Sequence, residues 1–241
     1  MCTVTFIPVK DTYYITSNRD EKSGRKQALP PKHYTYNNAR LVYPKDADAG
    51  GTWICMHENG NAAVLLNGAF NKHISTGNYK KSRGIIFLEI ISASMPVNTF
   101  LQTDLLNIEP FTLVVLDNDK LYECRWDGTN KHSRQLEKNR PHIWSSATLY
   151  DKAVVKKREQ WFFQWLSKYP SPSQQDILHF HQFTGDGDTN NDLLMNRNNN
   201  MLTVSITGMQ FNNDKGIMHY LDLKDNSACS MQLKFSPSYV L

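Results

Sequence analysis

The order of hairpin and helix signals along the chain constrains the fold more than any other feature of the sequence. Short runs rich in β-branched and aromatic residues occur in pairs around turn residues, which is typical of β-hairpins. Stretches of helical character interrupt these pairs twice. The resulting order of strands, helices, strands, helices and strands predicts an α+β domain with two stacked sheets and helices outside them.

Turn residues set the predicted bounds of the strands. Lys10-Asp11, Asn59-Gly60 and Asn118-Asp119 each separate two apolar runs, and Asn-Gly is a strong hairpin signal. Residues 22–35 are rich in Lys, Gly and Pro and are predicted to be a loop. The predicted strands are residues 2–9, 12–17, 52–56, 62–66, 111–117, 120–126, 201–209, 217–223 and 229–235.

Four helices are predicted between these strands. Residues 83–94 and 96–106 form a pair separated at Pro96, and residues 151–168 have the strongest helical pattern. A short helix over residues 173–181 follows two prolines. The chain of 241 residues contains no internal repeat and no long linker, so a single domain over residues 1–241 is expected.

Charge and hydropathy argue against several classes of protein. The net charge is +4, and the densest basic run, Lys152 to Arg158, lies in a predicted helix. We interpret that run as a solvated helix face, not a nucleic-acid surface. No apolar run reaches the roughly 18 residues of a membrane span. The start of the chain turns polar at Lys10, which is unlike a signal peptide, so a cytoplasmic protein with reduced thiols is expected.

No metal or cofactor is predicted. The acidic loop that begins at Asp186 has Asn191 where a calcium loop of the EF-hand type requires Gly, and Arg197 where it requires Glu. His179 and His181 lack the spacing of a helical zinc site. The four cysteines lie far apart and form no C-x-x-C pair.

Cys2 is the residue whose position points most directly to chemistry. Methionine aminopeptidase normally removes Met1 when a small residue such as Cys follows it. Removal would give Cys2 a free α-amine, and the pKa of such a group, about 7.7–8.0, leaves part of it neutral near pH 7. The amine can then take the thiol proton, so that one residue supplies both nucleophile and base. On its own this is weak evidence, because most cysteines at this position are inert.

Residues 16–21, T-S-N-R-D-E, end the second predicted strand, and a hairpin returns this end beside Cys2. Arg19 would then place a fixed positive charge near the thiol, which lowers a cysteine pKa. Asp20 or Glu21 would accept hydrogen bonds from the α-ammonium and orient it. The alternative is a surface ion pair after a strand, which contributes little to stability.

Two later segments contain further candidates. Gly50-Gly51, just ahead of Trp53, allows a close backbone approach or a positive φ. Asn67 ends a predicted buried strand, where its amide or backbone N–H would serve an oxyanion hole, although an ordinary turn also fits.

The second half of the chain adds three more candidates. Ser145 and Ser146 precede the long helix and would either belong to the site or cap that helix. Arg197 precedes a strand over residues 203–207 whose alternate side chains would line a pocket.

Taken together, these segments resemble the NRDE family, also named the transport and Golgi organisation 2 family. The resemblance implies an Ntn-hydrolase-like fold, a four-layer αββα sandwich of two stacked, mainly antiparallel sheets with Cys2 on a central strand. Its functional relatives are implied to be choloylglycine hydrolases and penicillin V acylases, in which a mature N-terminal Cys cleaves a non-peptide amide. The matching residues occur in family order: Met1-Cys2, Asn18-Arg19-Asp20-Glu21, Gly50-Gly51-Thr52-Trp53, Asn67 and residues 146–149.

The resemblance assigns roles residue by residue. Cys2 is implied to be the nucleophile and Arg19 its neighbouring cation. The acid stays open between Asp20 and Glu21, because those enzymes space Arg and Asp differently. Asn18 and Trp53 are implied to support the site. Those enzymes have an Asn where this chain has Ser145-Ser146, a departure that affects the implied oxyanion hole.

Two functions remain open on the sequence. The first is hydrolysis of a small-molecule amide by Cys2, through an acyl-thioester that water releases. The second is a non-enzymatic carrier in which the same pocket binds and transfers a ligand such as haem or an acyl lipid. Neither the substrate nor the oligomeric state follows from the sequence.

Overall fold

Two seven-stranded antiparallel sheets form the framework of the protein. The computed structural model describes residues 3–75 and 77–236. In the first sheet the strand order is β10-β1-β2-β12-β13-β14, with β11 paired to β12. Its strands are β1 Thr3–Val9, β2 Thr12–Lys22, β10 His142–Ser145, β11 Asn196–Arg197, β12 Met201–Phe211, β13 Lys215–Asp222 and β14 Ala228–Lys234.

The second sheet follows the chain order without crossovers, from β3 to β9. Consecutive strands therefore lie side by side and antiparallel, joined by turns or loops except between β6 and β7, where two helices form the connection. Its strands are β3 Leu29–Tyr36, β4 Ala39–Lys45, β5 Ile54–His57, β6 Ala62–Asn67, β7 Phe111–Asp117, β8 Lys120–Trp126 and β9 Lys131–Leu136.

Four helices cover the outer faces of the sheets. Apolar side chains of α1 and α2 pack on the second sheet, and those of α3 and α4 pack on the first. A third apolar cluster, drawn from both sheets, fills the space between them. The predicted αββα sandwich is therefore confirmed. The helices are α1 Arg83–Ile91, α2 Pro96–Gln102, α3 Lys152–Lys168 and α4 Gln174–Phe183.

The prediction of a loop over residues 22–35 is wrong from Leu29 onward. Leu29–Tyr36 forms an edge strand, and its pairing with β4 shifts register between Leu29 and Lys32, across the two prolines. Proline is tolerated on an edge strand because its missing N–H need not join a ladder. The partner strand Ala39–Lys45 was not predicted either, nor were the short or polar strands β9, β10 and β11.

Strand β2 holds the position that matters most for a site. It runs between β1 and β12, with Thr3 opposite Asn18 and Thr203 opposite Asp20. A register irregularity between Thr203 and Ser205 interrupts the ladder beside the end of β2. Such bulges re-aim side chains and are frequent next to functional sites. The end of β2 is thereby enclosed by the start of the chain on one side and its last third on the other.

Candidate active site

Arg19 points from β2 into the space between the two sheets. Its guanidinium lies 4.5 Å from the centre of the Trp53 ring and 2.7 Å from the carboxylate of Asp46. Asp46 directly follows β4, and Trp53 directly precedes β5, so both partners come from the second sheet. Arg19 is 4% exposed. Charge, stacking and burial together hold the guanidinium in one orientation.

Asp46 joins two arginines. Its second oxygen accepts from Arg25 at 2.8 Å, and the Ala49 backbone N–H donates to it at 2.7 Å. Burial opposes ionisation of this carboxyl, but the hydrogen bonds from Arg25 and Ala49 and the charges of Arg25 and Arg19 outweigh it and hold the pKa below its ordinary value. Asp46 is therefore ionised at neutral pH, and the trio of two guanidiniums and one carboxylate keeps a net positive charge.

Asp20 is enclosed on the other side of β2. Its carboxylate accepts one hydrogen bond from the Tyr150 hydroxyl at 2.7 Å and one from the Thr203 hydroxyl at 2.5 Å. Only 3% of the residue is exposed. Within residues 3–75 and 77–236, no cation forms an ion pair with it. A buried carboxylate with hydroxyl donors alone lacks the counter-charge that usually accompanies such a group.

One cleft of about 630 Å³ collects five of the ten predicted site residues. Its lining combines the ends of β2 and β6, the segment before β5 and the start of α1. The predicted site residues in the lining are Arg19, Asp20, Glu21, Trp53 and Asn67. Glu21 is the more exposed of the two candidate acids, and its carboxylate lies 3.8 Å from Arg19.

The Gly50-Gly51 segment positions Trp53 by packing closely on α1. Gly50 has a φ of 71°, and a Cβ on Gly51 would lie 2.4 Å from the backbone carbon of Gly84. The Thr52 hydroxyl donates to the carbonyl of Pro44 at 2.5 Å. The first glycine thus uses its backbone freedom and the second its lack of a side chain. The positive φ and the close backbone approach that the sequence allowed as alternatives therefore both occur.

Asn67 ends β6 and is tied to the segment before α3. The Ser146 hydroxyl donates to the Asn67 carbonyl at 2.9 Å. The next residue, Gly68, has a φ of 81°, and a Cβ there would meet Thr148 at 2.9 Å. No other described residue forms a hydrogen bond with the side-chain amide of Asn67, which lines the cleft.

Four predicted site residues lie outside the lining of this cleft. Asn18 is fully buried and donates to the carbonyls of His181 and Leu193, on the face covered by α4. Arg197 donates to the carbonyl of Leu149 at 2.9 Å instead of entering a pocket. Its contact holds the segment before α3 in place.

Ser145 and Ser146 also serve other contacts. Ser145 pairs with Thr3 in the ladder between β10 and β1, and Ser146 holds Asn67. Neither serine caps α3, because the Asp151 side chain accepts from the Val154 N–H at that position. Ser146 thereby joins the segment after β10 to the second sheet beside the cleft.

Cys2 lies outside the described residues, so its contacts with Arg19 and with either acid stay a prediction. The other three cysteines lie in β5, β8 and β14, as predicted. Burial raises the pKa of the Cys55 thiol well above its ordinary value and that of Cys124 to about 11. Burial also raises the pKa of the half-buried Cys229 thiol. All three are poor nucleophiles at neutral pH.

Sequence reasoning missed three contacts of this site. Asp46 was not considered, because the strand before it was not predicted. Tyr150 ends the W-S-S-A-T-L-Y segment, and Thr203 opens the strand singled out after Arg197, so the segments were noticed without these roles. A polar side chain just after a strand was the available signal in the case of Asp46.

The described residues contain no candidate for a metal site or for a membrane-spanning helix. Among the residues that the structure describes, no three His, Cys, Asp or Glu side chains come close enough together to hold a metal ion. Within the same residues, no helix has both the length and the hydropathy needed to cross a bilayer.

Comparison with known proteins identifies the family and the fold. The family model described as Transport and Golgi organisation 2 matches residues 1–210. No curated protein sequence matches the chain. Among solved structures, the Caenorhabditis elegans orthologue of N-acylethanolamine-hydrolyzing acid amidase superposes with a TM-score of 0.59 at 14% identity, covering 86% of this chain and 92% of that chain.

Two structures of conjugated bile acid hydrolase from Clostridium perfringens are similar as well. One, a mutant, has a TM-score of 0.59 at 12% identity and covers 98% of this chain and 97% of its own. The other, a variant, has a TM-score of 0.57 at 12% identity and covers 100% of both chains. At these identities the likeness shows the fold alone, which is that of the Ntn hydrolases.

Proposed function

The chain belongs to the Transport and Golgi organisation 2 family, and from its Ntn-hydrolase fold and the cleft at the end of β2 we propose that it is a cysteine amide hydrolase. Cys2 is the proposed nucleophile once Met1 has been removed. The proposed substrate is a small molecule with a non-peptide amide bond. This choice is supported by the neighbours whose names describe an N-acylethanolamine amidase and a conjugated bile acid hydrolase.

The main support for the proposal is that Asp20 has no positively charged partner among the described residues. Its buried carboxylate accepts only hydroxyl donors in the described part of the chain. Cys2 is bonded to Thr3, so their Cα atoms are about 3.8 Å apart. Thr3 lies opposite Asn18, two residues before Asp20 on the same strand. An α-ammonium created at Cys2 supplies the absent positive charge, which assigns the orienting role to Asp20 in preference to the more exposed Glu21.

The catalytic cycle then follows from ordinary acyl transfer. The neutral α-amine of Cys2 takes the thiol proton, and the thiolate forms a C–S bond to the amide carbonyl. The C–N bond breaks as the α-ammonium returns the proton to the departing amine. Water, deprotonated by the same amine, hydrolyses the thioester and regenerates the thiol. The side-chain amide of Asn67 donates to the developing oxyanion.

Arg19 stabilises the thiolate of Cys2 from a fixed position. Because Asp46 holds it at 2.7 Å and Trp53 lies beneath it, the guanidinium stays in place through the cycle. A guanidinium beside a thiol lowers its pKa and so favours the thiolate over the thiol.

Intact mass and alkylation test the proposal together. Purified protein should lack Met1, and iodoacetamide should label Cys2 faster than Cys229, with an apparent pKa below the ordinary 8.5 of a thiol. Cys229 is the internal control because it is half-buried but has a raised pKa. A retained Met1, or a Cys2 that reacts no faster than Cys229, sinks the hydrolase and favours the carrier of haem or an acyl lipid.

Two substitutions complete the test. Cys2→Ala should abolish hydrolysis of a panel of N-acyl amides, and Asp20→Asn should slow alkylation of Cys2 while leaving Cys229 unchanged. Activity that survives Cys2→Ala would show that the nucleophile is another residue.

A further inference from the structure

Arg158 is fully enclosed although it belongs to a basic helical run that the sequence predicts to be solvated. It lies in α3 four residues before Phe162, and these are the two buried residues of that helix. Residues four apart share a helix face, so Arg158 lies on the apolar face directed at the first sheet. The interpretation of Lys152–Arg158 as one solvated face is therefore wrong for its last residue.

Among the described residues, only neutral groups hold the guanidinium. It donates to the backbone carbonyls of Asn191 and Asp192, at 2.9 and 2.7 Å, and to the Thr3 hydroxyl. Its carbon lies 3.7 Å from the centre of the Tyr150 ring. No carboxylate of residues 3–75 and 77–236 forms an ion pair with it. Burying a cation in this way costs several kcal/mol that an apolar side chain of similar size would avoid.

Two contacts of Arg158 connect it with the proposed nucleophile and with the proposed acid. The first contact is with the hydroxyl of Thr3, the residue bonded to Cys2. The second is with the ring of Tyr150, whose hydroxyl donates to Asp20 at 2.7 Å. One planar group therefore fixes the first described residue of β1 and the residue that holds the acid. Lysine could not make the same set of contacts, because it lacks the rigid fork of donors.

We propose that Arg158 is a positioning residue of the hydrolase, holding Thr3 and, through Tyr150, Asp20, so that the α-amine of Cys2 and the carboxylate of Asp20 keep a fixed separation. This inference rests on the proposed function. A purely structural role, tying the loop at Asn191 to α3, is the competing explanation. The two differ in what they predict for the reactivity of Cys2 in a folded variant.

The deciding experiment compares alkylation of Cys2 by iodoacetamide in folded variants at pH 7, with melting temperatures measured in parallel. Arg158→Met removes the charge and the fork while filling the space. It should fold, because apolar replacement of a buried ion is often neutral. Alkylation of Cys2 should fall about tenfold or more relative to Cys229. Arg158→Lys, which keeps the charge, should restore part of the rate.

Thr3→Val provides a second route to the same contact. It removes the hydroxyl that Arg158 binds but leaves Arg158 and the loop contacts in place, and it should also slow alkylation of Cys2. The double variant should be no slower than Arg158→Met alone, since both changes break one interaction. If Arg158→Met fails to fold, Thr3→Val decides the question.

The outcomes separate this inference from the function on which it rests. Rapid alkylation of Cys2 in the unmodified protein together with an unchanged rate in Arg158→Met, or in Thr3→Val, overturns the positioning role and leaves the hydrolase standing. Slow alkylation of Cys2 in the unmodified protein overturns both.

Discussion

Arg19 and Arg158 are enclosed to nearly the same degree, on opposite faces of the first sheet, yet their surroundings differ in kind. Arg19 is paired with a carboxylate and shares it with Arg25. In the described part of the chain, Arg158 contacts carbonyls, a hydroxyl and an aromatic ring but pairs with no carboxylate. The first arrangement is a compensated ion pair that contributes to stability when intact. The second keeps an uncompensated charge beside the start of β1, which is easier to explain by function than by folding.

The largest expected effect concerns acid stability on the Arg158 side. His181 is fully buried and bonded to Thr5 and Asn18, and burial, with the nearby charge of Arg158, lowers its pKa from 6.5 to about 3. Below pH 6.5 the unfolded chain binds a proton that the folded chain refuses. The contribution of His181 to stability is therefore complete above pH 6.5 and is lost as the pH falls toward 3. Between pH 6.5 and 3, the free energy of unfolding should fall by about 1.4 kcal/mol for each pH unit.

Urea unfolding between pH 7.5 and 5 measures this loss. His181→Gln should flatten the decline over that range, where most carboxylates do not titrate. His33→Gln is the control, because His33 is exposed on the edge strand β3. An unchanged slope in His181→Gln would contradict a neutral His181 in the folded protein.

Removing the shared carboxylate on the Arg19 side should have the next largest effect. Asp46→Asn removes the carboxylate that the two guanidiniums share and leaves them only the more exposed Glu21 and Asp48, at 3.8 and 3.5 Å. Breaking a buried pair in this way costs about 3 kcal/mol. For a chain of this size the melting temperature should fall by about 6–12 °C. Asp48→Asn is the control, since Asp48 is more exposed and lies 3.5 Å from Arg25. A similar loss in both variants would mean that the enclosure of Asp46 is irrelevant.

The same substitution at both arginines compares the two sites directly. Arg19→Met removes an ion pair and a stacking contact and should lower stability by about 1–2 kcal/mol, because Asp46 keeps Arg25. Arg158→Met removes a buried charge but leaves the carbonyls of Asn191 and Asp192 without their donor, so the two effects should offset to within about 1 kcal/mol while alkylation of Cys2 slows. Denaturant midpoints give the stabilities. Equal losses of stability in Arg19→Met and Arg158→Met would contradict the view that only Arg19 contributes to stability through an ion pair.

The smallest effect is expected at Glu21. Its carboxylate is partly exposed and lies 3.8 Å from Arg19, so Glu21→Gln should change the free energy of unfolding by no more than about 0.5 kcal/mol. It should also leave alkylation of Cys2 unchanged, unlike Asp20→Asn. A large effect on that rate would transfer the orienting role from Asp20 to Glu21.

The difference between the two arginines also shows what the sequence could predict. Arg19 stands in a short motif after a strand, so both its strand and its importance were recognised. Its partner Asp46 was missed because the strand before it, Ala39–Lys45, was not predicted. Arg158 was misread because a basic run was treated as a unit, although its spacing of four from Phe162 placed it on the apolar face.

The fold was more accessible than the site for a physical reason. Hairpins and helices depend on local turn residues and periodicity, which a single sequence displays. The contacts of Asp20 depend on pairing between distant strands. Its hydroxyl donors, Tyr150 and Thr203, are 130 and 183 residues away along the chain. No local pattern encodes such an encounter.

The distance along the chain between Asp20 and Thr203 also determines when each is synthesised. At a synthesis rate of about 5–20 residues per second, Thr203 leaves the ribosome roughly 10–40 s after Asp20. Throughout this interval β2 has β1 as a neighbour on one edge and nothing yet on the other, because β12 has not been made. If Met1 is removed, the removal can take place before the walls around Asp20 close. On the proposed function, maturation of Cys2 would then be an event of translation, completed before the chain exists as a folded molecule.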